Sequence, residues 1–184
     1  MNERDRSILE AAYRVFLRFG IAKTTMADVA QEAGVARQTV YNAYQNKEDL
    51  LRAVTRKGIN FAEDNVLAAW AQTDDFAAKL DRFFEFMPLN WYDAVQDTPQ
   101  AAELFEGIHR IAGAEIEAAA QRWRGHFTAL IEDHFGPKSL DAPALADFIY
   151  STATNAKHGA ASRADLERRL SVLKSSILAL TANK

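Results

Sequence analysis

The chain has 184 residues, 48% of them hydrophobic and 26% charged, and no cysteine. This suits one globular domain or two small ones, and it excludes disulfides, thiolate chemistry and cysteine-ligated zinc. The formal net charge is −3, but residues 1–58 hold 10 Lys/Arg against 7 Asp/Glu while residues 59–184 hold 12 against 18.

A basic head on an acidic body is the asymmetry expected of a protein whose head meets a polyanion. The longest apolar run, Val66 to Ala71, is far short of the roughly 18 residues needed to span a membrane. The opening stretch MNERDRSILEAA is charged and helical in pattern, unlike a signal peptide. A soluble, cytoplasmic protein with no membrane partner is expected.

Apolar residues recur at helical spacing along the chain, and strand signals are nearly absent. Ile8, Leu9, Ala12, Val15, Phe16 and Phe19 mark one face of a first helix, which Gly20 ends. Thr25 followed by Asp28 reads as a capping box opening a second helix, and Asn46 followed by Asp49 opens another at Lys47. Downstream, FAAKLDRFFEFM meets Pro88, which should kink or end it. Thr98 and Pro99 start the next helix. A long helix then closes at Gly136-Pro137, Asp141 and Pro143 start another, and Ser162 with Asp165 caps the last. The count is about nine helices in an all-α fold, with a boundary near Gly58 that separates residues 1–58 from 59–184.

Between Thr24 and Tyr44 the chain reads TTMADVAQEAGVARQTVYNAY. Glycine inside a helix costs about 1 kcal/mol relative to alanine, so Gly34 reads better as the left-handed residue that ends one helix before another begins near Ala36. Helix, glycine turn, helix is the helix-turn-helix plan. Ala30 is small enough for close approach, and Val29, Val35 and Val40 can fill the gap. Arg37, Gln38, Thr39, Tyr41 and Asn42 then face outward. These residue types suit a major groove, where Arg and Gln bond bidentately to base edges, Thr offers a methyl group and hydroxyls reach phosphate.

With NKEDLL after it, this stretch resembles the DNA-binding region of the tetracycline-repressor (TetR) family of bacterial regulators over roughly residues 5–55. The resemblance implies that Arg37, Gln38 and Thr39 contact bases or phosphates, that Tyr41 contacts phosphate, and that Lys47 and Thr25 meet the backbone at helix starts, where N–H groups favour anions. Ala43 departs from the pattern, since the family often has tyrosine or histidine there, which puts one backbone contact in doubt. The resemblance also implies a C-terminal domain with a cavity for a small effector.

For the effector, the candidates are Phe84, Met87, Trp91, Phe105, Trp123 and Phe127 with the polar His109 and Asn155, because ligand pockets are largely apolar with a few polar groups. For the dimer, Leu166, Leu170, Leu173, Ile177 and Leu180 step 4, 3, 4, 3 along the last helix, and Leu145, Ile149, Thr152, Ala156 and Gly159 do the same before it. Two such seams predict a four-helix bundle between copies. The same residues could instead face the protomer's own core.

His126 and His134 lie eight apart, a poor spacing for a metal on one helix, and no Gly-x-Ser-x-Gly elbow is present. No metal, cofactor or catalytic centre is expected. The chain reads as a DNA-binding regulator, a repressor released by an apolar or aromatic ligand. The alternatives are an activator with the same head, or a helical carrier or enzyme with a chance helix-turn-helix.

Overall fold

The computed structural model describes residues 3–96, 99–137 and 141–181. Among them there is no strand. The helices are α1 (Glu3–Lys23), α2 (Met26–Ala33), α3 (Arg37–Ala43), α4 (Lys47–Trp70), α5 (Phe76–Phe84), α6 (Asn90–Gln96), α7 (Pro99–Ile111), α8 (Gly113–Phe135), α9 (Ala142–Asn155) and α10 (Arg163–Thr181). A π turn at Glu85–Leu89 joins α5 to α6 without leaving helical backbone. Counted as one bent rod, these leave nine helices among the described residues, as the periodicity implies. Pro88 sits inside the π turn, so its missing N–H is absorbed by a wider helical turn and does not end the helix.

Several ends follow the expected chemistry. The Asp141 carboxylate accepts from the Ala144 N–H, the Ser162 hydroxyl from the Asp165 N–H, and Gly136 takes a positive φ of 86° just after α8. The expected Thr98 cap lies outside the described residues. Within α1, Gly20 adopts φ 75°, ψ 165° and kinks the helix. Phe19, beside this break, is 46% exposed and does not join the buried face expected of it; the Arg18 guanidinium lies over its ring.

The chain divides into two compact units, residues 1–61 with 94–116, and residues 62–93 with 117–184. The expected boundary near Gly58 is close to the first division, but residues 94–116 return to the head. Gly107 on α7 lies close against α1, where an added Cβ would stand 2.3 Å from Ile21 Cδ1 and the isoleucine side chain would have to move. The first unit's core holds Ile8, Phe16, Val29, Val40, Leu50, Leu51 and Leu104. In the second unit Trp70, Phe83, Trp123 and Phe127 form the centre, with Ile149, Leu166, Leu170, Leu173 and Ile177 around them.

The last five residues settle the seam. They are buried within one protomer, so the apolar stripe of α10 packs on its own unit and is not the exposed interface expected of it. A stripe of one residue in three or four satisfies a monomer's core as well as a dimer's. Ala156 falls just past α9 and Gly159 in the following turn, so the second seam does not continue on a helix. Leu180, also expected in the seam, is exposed.

Candidate nucleic-acid interface

The helix-turn-helix forms as the glycine requires. The Thr25 hydroxyl accepts from the Asp28 N–H, and the Asp28 carboxylate accepts from the Thr25 N–H at 2.8 Å, which closes the capping box at α2. These bonds with Thr25 hold the Asp28 carboxyl below its usual pKa range. At the other end, Gly34 has φ 66°, ψ 30° and donates to the carbonyls of Ala30 and Gln31. A Cβ there would meet nothing within 4 Å. The requirement for glycine is therefore conformational, since the left-handed region disfavours residues with a Cβ. Val29 and Val40 are fully buried between α2 and α3, and Ala30 nearly so.

This packing leaves one face of α3 in solvent. Arg37, Gln38, Tyr41 and Asn42 are exposed, whereas Thr39 is half-buried. The exposed residues are already paired along the helix. The Arg37 guanidinium donates to the Tyr41 hydroxyl at 3.3 Å and lies over its ring, and the Gln38 amide donates to Asn42 Oδ1 at 2.8 Å. Pairs at i, i+4 narrow the rotamers available to exposed side chains, so two donors and two acceptors are presented in a defined array.

Two expected contacts sit differently. Thr25 is exposed, but its hydroxyl is engaged by Asp28 at 2.7 Å. Lys47 opens α4 as expected, yet its ammonium donates to the carbonyls of Ile21, Ala22 and Thr24 at 2.6, 3.1 and 2.9 Å. All three of its donors are used to close the end of α1 and are not turned outward, as the expected phosphate role would have them. Sequence spacing could place Lys47 at a helix start, but not show that the kink at Gly20 brings unsatisfied carbonyls within its reach. At that start the Asn46 side chain accepts from the Asp49 N–H at 2.8 Å, as the sequence implies.

The eight ligand candidates fall in both units. Phe105 and His109 lie on α7, in the first unit; His109 is exposed, its Nδ1 2.9 Å from the Phe105 carbonyl. Phe84, Trp123 and Phe127 are buried in the second unit's core. There Phe83 meets the Trp123 and Phe127 rings edge-on at 4.9 and 4.8 Å, and Trp70 meets them at 5.9 and 5.3 Å. Such edge-to-face contacts are core packing, which corrects the expectation that these rings line a cavity. Met87 and Trp91 are half-buried, and Asn155 is exposed with its amide on the Ser151 carbonyl. A shallow recess of about 400 Å³ lies elsewhere in that unit, lined by Asp75, Phe76, His134, Phe135, Leu178 and Thr181.

The sequence reading missed a buried carboxylate. Glu63, 7% exposed, accepts from Arg122 Nε and Nη2 at 2.9 and 2.6 Å and stands 2.9 Å from His126 Nε2. Burial alone would raise the Glu63 pKa, but the bonds to Arg122 and His126 outweigh it and hold it below the usual value. The 59-residue separation from Arg122 hides this pairing from local patterns.

Residues 8–54 match the family of bacterial regulatory proteins called the tetR family. Over 52 residues the chain is 44% identical to the HTH-type transcriptional regulator TtgR of Pseudomonas putida, covering 28% of this chain and 25% of that protein. Over 127 residues it is 39% identical to the uncharacterized HTH-type transcriptional regulator YfiR of Bacillus subtilis, covering 67% of this chain and 53% of that one. The chain thus spans from a quarter to about half the length of these two curated relatives. Among solved structures, a TetR-family transcriptional regulator from Pectobacterium atrosepticum superposes with a TM-score of 0.74 at 20% identity, covering 97% of this chain and 94% of that one. The likeness of fold therefore extends through both units, well beyond the matched head.

Proposed function

This chain belongs to the tetR family of bacterial regulatory proteins, and we propose that it is a cytoplasmic repressor that binds operator DNA as a homodimer and leaves it when a small effector binds the second unit. The observation that carries the DNA-binding reading is the α3 face, where Gly34 turns the chain so that Arg37, Gln38, Tyr41 and Asn42 share one exposed surface. Their chemistry matches base edges and phosphates in a major groove. The basic balance of residues 1–58 supports attraction to the duplex. Among the described residues no helix is long and apolar enough to cross a membrane.

The dimer surface we favour is the outer face of α9 and α10. With the leucines turned inward, Phe148, Val172 and Leu180 remain 46%, 62% and 58% exposed. Ala144, Ser175 and Ala179 lie on the same exposed faces, and small residues allow helices to approach closely. Two heads held about one helical turn of DNA apart would read a palindrome. The effector would act by favouring a conformer with that spacing lost. Footprinting on the chain's own upstream region, with and without cell extract, tests the reading. Protection of a palindrome that the extract relieves is expected, and protection that depends on extract would favour an activator.

A further inference from the structure

The second unit sets a cation against an aromatic ring. Lys157 follows α9 in the turn that leads to α10, and its ammonium lies 4.2 Å from the centre of the Trp91 ring. Among the described residues it has no hydrogen-bond acceptor and no carboxylate partner. The groups that could have served it are committed elsewhere. The turn carbonyls of Ala156, His158 and Gly159 accept from Arg169, and the Asp93 carboxylate, two residues from Trp91, pairs with Arg163.

An ammonium removed from water without a partner is costly. Burial lowers the Lys157 pKa from 10.5 to about 8, so the group stays cationic near neutrality. A cation–aromatic contact offsets only part of this cost. The side chain is half-buried and not sealed in, so a solute can reach it. Trp91, on which the ammonium rests, is one of several partly buried apolar residues on the unit's core, with Met87, Leu89, Ala156 and Ala160. The π turn that carries Met87 and Leu89 is a kind of distortion often found at functional sites.

We propose that Lys157 and Trp91 form the anchor of a site for a small monocarboxylate with an apolar body, its carboxylate on the ammonium and its body against Trp91 and Met87. A single unpaired cation matches a single negative charge. The nearby guanidiniums of Arg163 and Arg169 are already occupied, which argues against a phosphate that needs several donors. This names a chemical class for the effector and rests on the regulator reading only for its consequence at DNA.

The test uses the full chain with phenylacetate and octanoate, each compared with its amide, by isothermal titration and Trp fluorescence. A charge-assisted bond makes the acids bind about tenfold or more tighter than the amides. Lys157→Met erases that preference, and Lys157→Arg retains it. Equal binding of acids and amides by wild type, no binding of either acid, or an unchanged preference in a folded Lys157→Met overturns the proposal. Should Lys157→Met fail to fold, the acid–amide comparison in wild type and in Lys157→Arg decides. DNA affinity is measured in parallel. Lys157-dependent acid binding that leaves DNA affinity unchanged supports the site and refutes release by an effector at that site, whereas DNA release by some other ligand without acid binding refutes the site alone.

Discussion

The Lys47 ammonium donates to the Ile21 carbonyl across 2.6 Å, joining the start of α4 to the end of α1. With Ala22 and Thr24 it closes three carbonyls left open beyond the Gly20 kink. Lys47→Met should therefore lower the stability of the first unit by about 1–3 kcal/mol, the range for losing charged hydrogen bonds. The salt slope of whatever DNA binding remains should be unchanged, since no phosphate contact is lost. Urea melts and binding at several salt concentrations check both. A flattened slope with unaltered melting would return Lys47 to the DNA backbone.

Gly34 is needed for its backbone and not for space. Gly34→Ala should cost about 1–2 kcal/mol through the left-handed conformation alone, and Gly34→Val more, since a β-branched residue resists positive φ further. Both variants should lose DNA affinity in proportion to head stability. Thermal melting of the pair reads the difference; equal stability of all three proteins would place the turn elsewhere.

The two faces of α10 make opposite predictions. Leu173 is buried in its own unit, so Leu173→Glu buries an unpaired charge and should unfold the second unit. Val172 is 62% exposed, and Val172→Glu should leave melting intact while shifting sedimentation from dimer to monomer and weakening operator binding. A folded, dimeric Val172→Glu would remove the outer face of α10 from the interface.

Acid should act through Glu63. Its folded pKa lies below the ordinary 4.5 because Arg122 and His126 outweigh the effect of burial. A depressed carboxylate contributes stability that is full above its unfolded pKa and disappears as pH falls through the folded one. Glu63→Gln should thus be less stable than wild type by about 1–3 kcal/mol at neutral pH. The gap should close on acidification below the ordinary carboxylate range. Urea melts across that range check the sign, and a gap that persists in acid would mean the loss is one of packing.

Local chemistry carried most of what could be read before the fold. The capping box at Thr25, the Asn46 side-chain cap, the left-handed Gly34 and the caps at Asp141 and Ser162 each depend on residues within four positions of one another. So does the outward face of α3. What failed depends on distance in the chain. The same 4, 3 spacing in α10 fits an own-core stripe or a dimer seam, and only the packing of α5 and α9 against it decides. The aromatic run from Phe83 to Phe127 could not separate core from cavity, and it took in Phe105 and His109, which fold with the head. Lys47, Glu63 and Lys157 owe their roles to partners 23 to 66 residues away.

The central claim is that the α3 face reads a specific palindrome. Selection from a random duplex library by the full chain, repeated with Gln38→Ala, tests it most directly. We expect wild type to enrich two inverted half-sites about one helical turn apart. Gln38→Ala should bind the selected site more weakly by about 1–3 kcal/mol and tolerate more bases at one position of each half-site. No enriched sequence from wild type, or an identical preference in Gln38→Ala, would contradict the account.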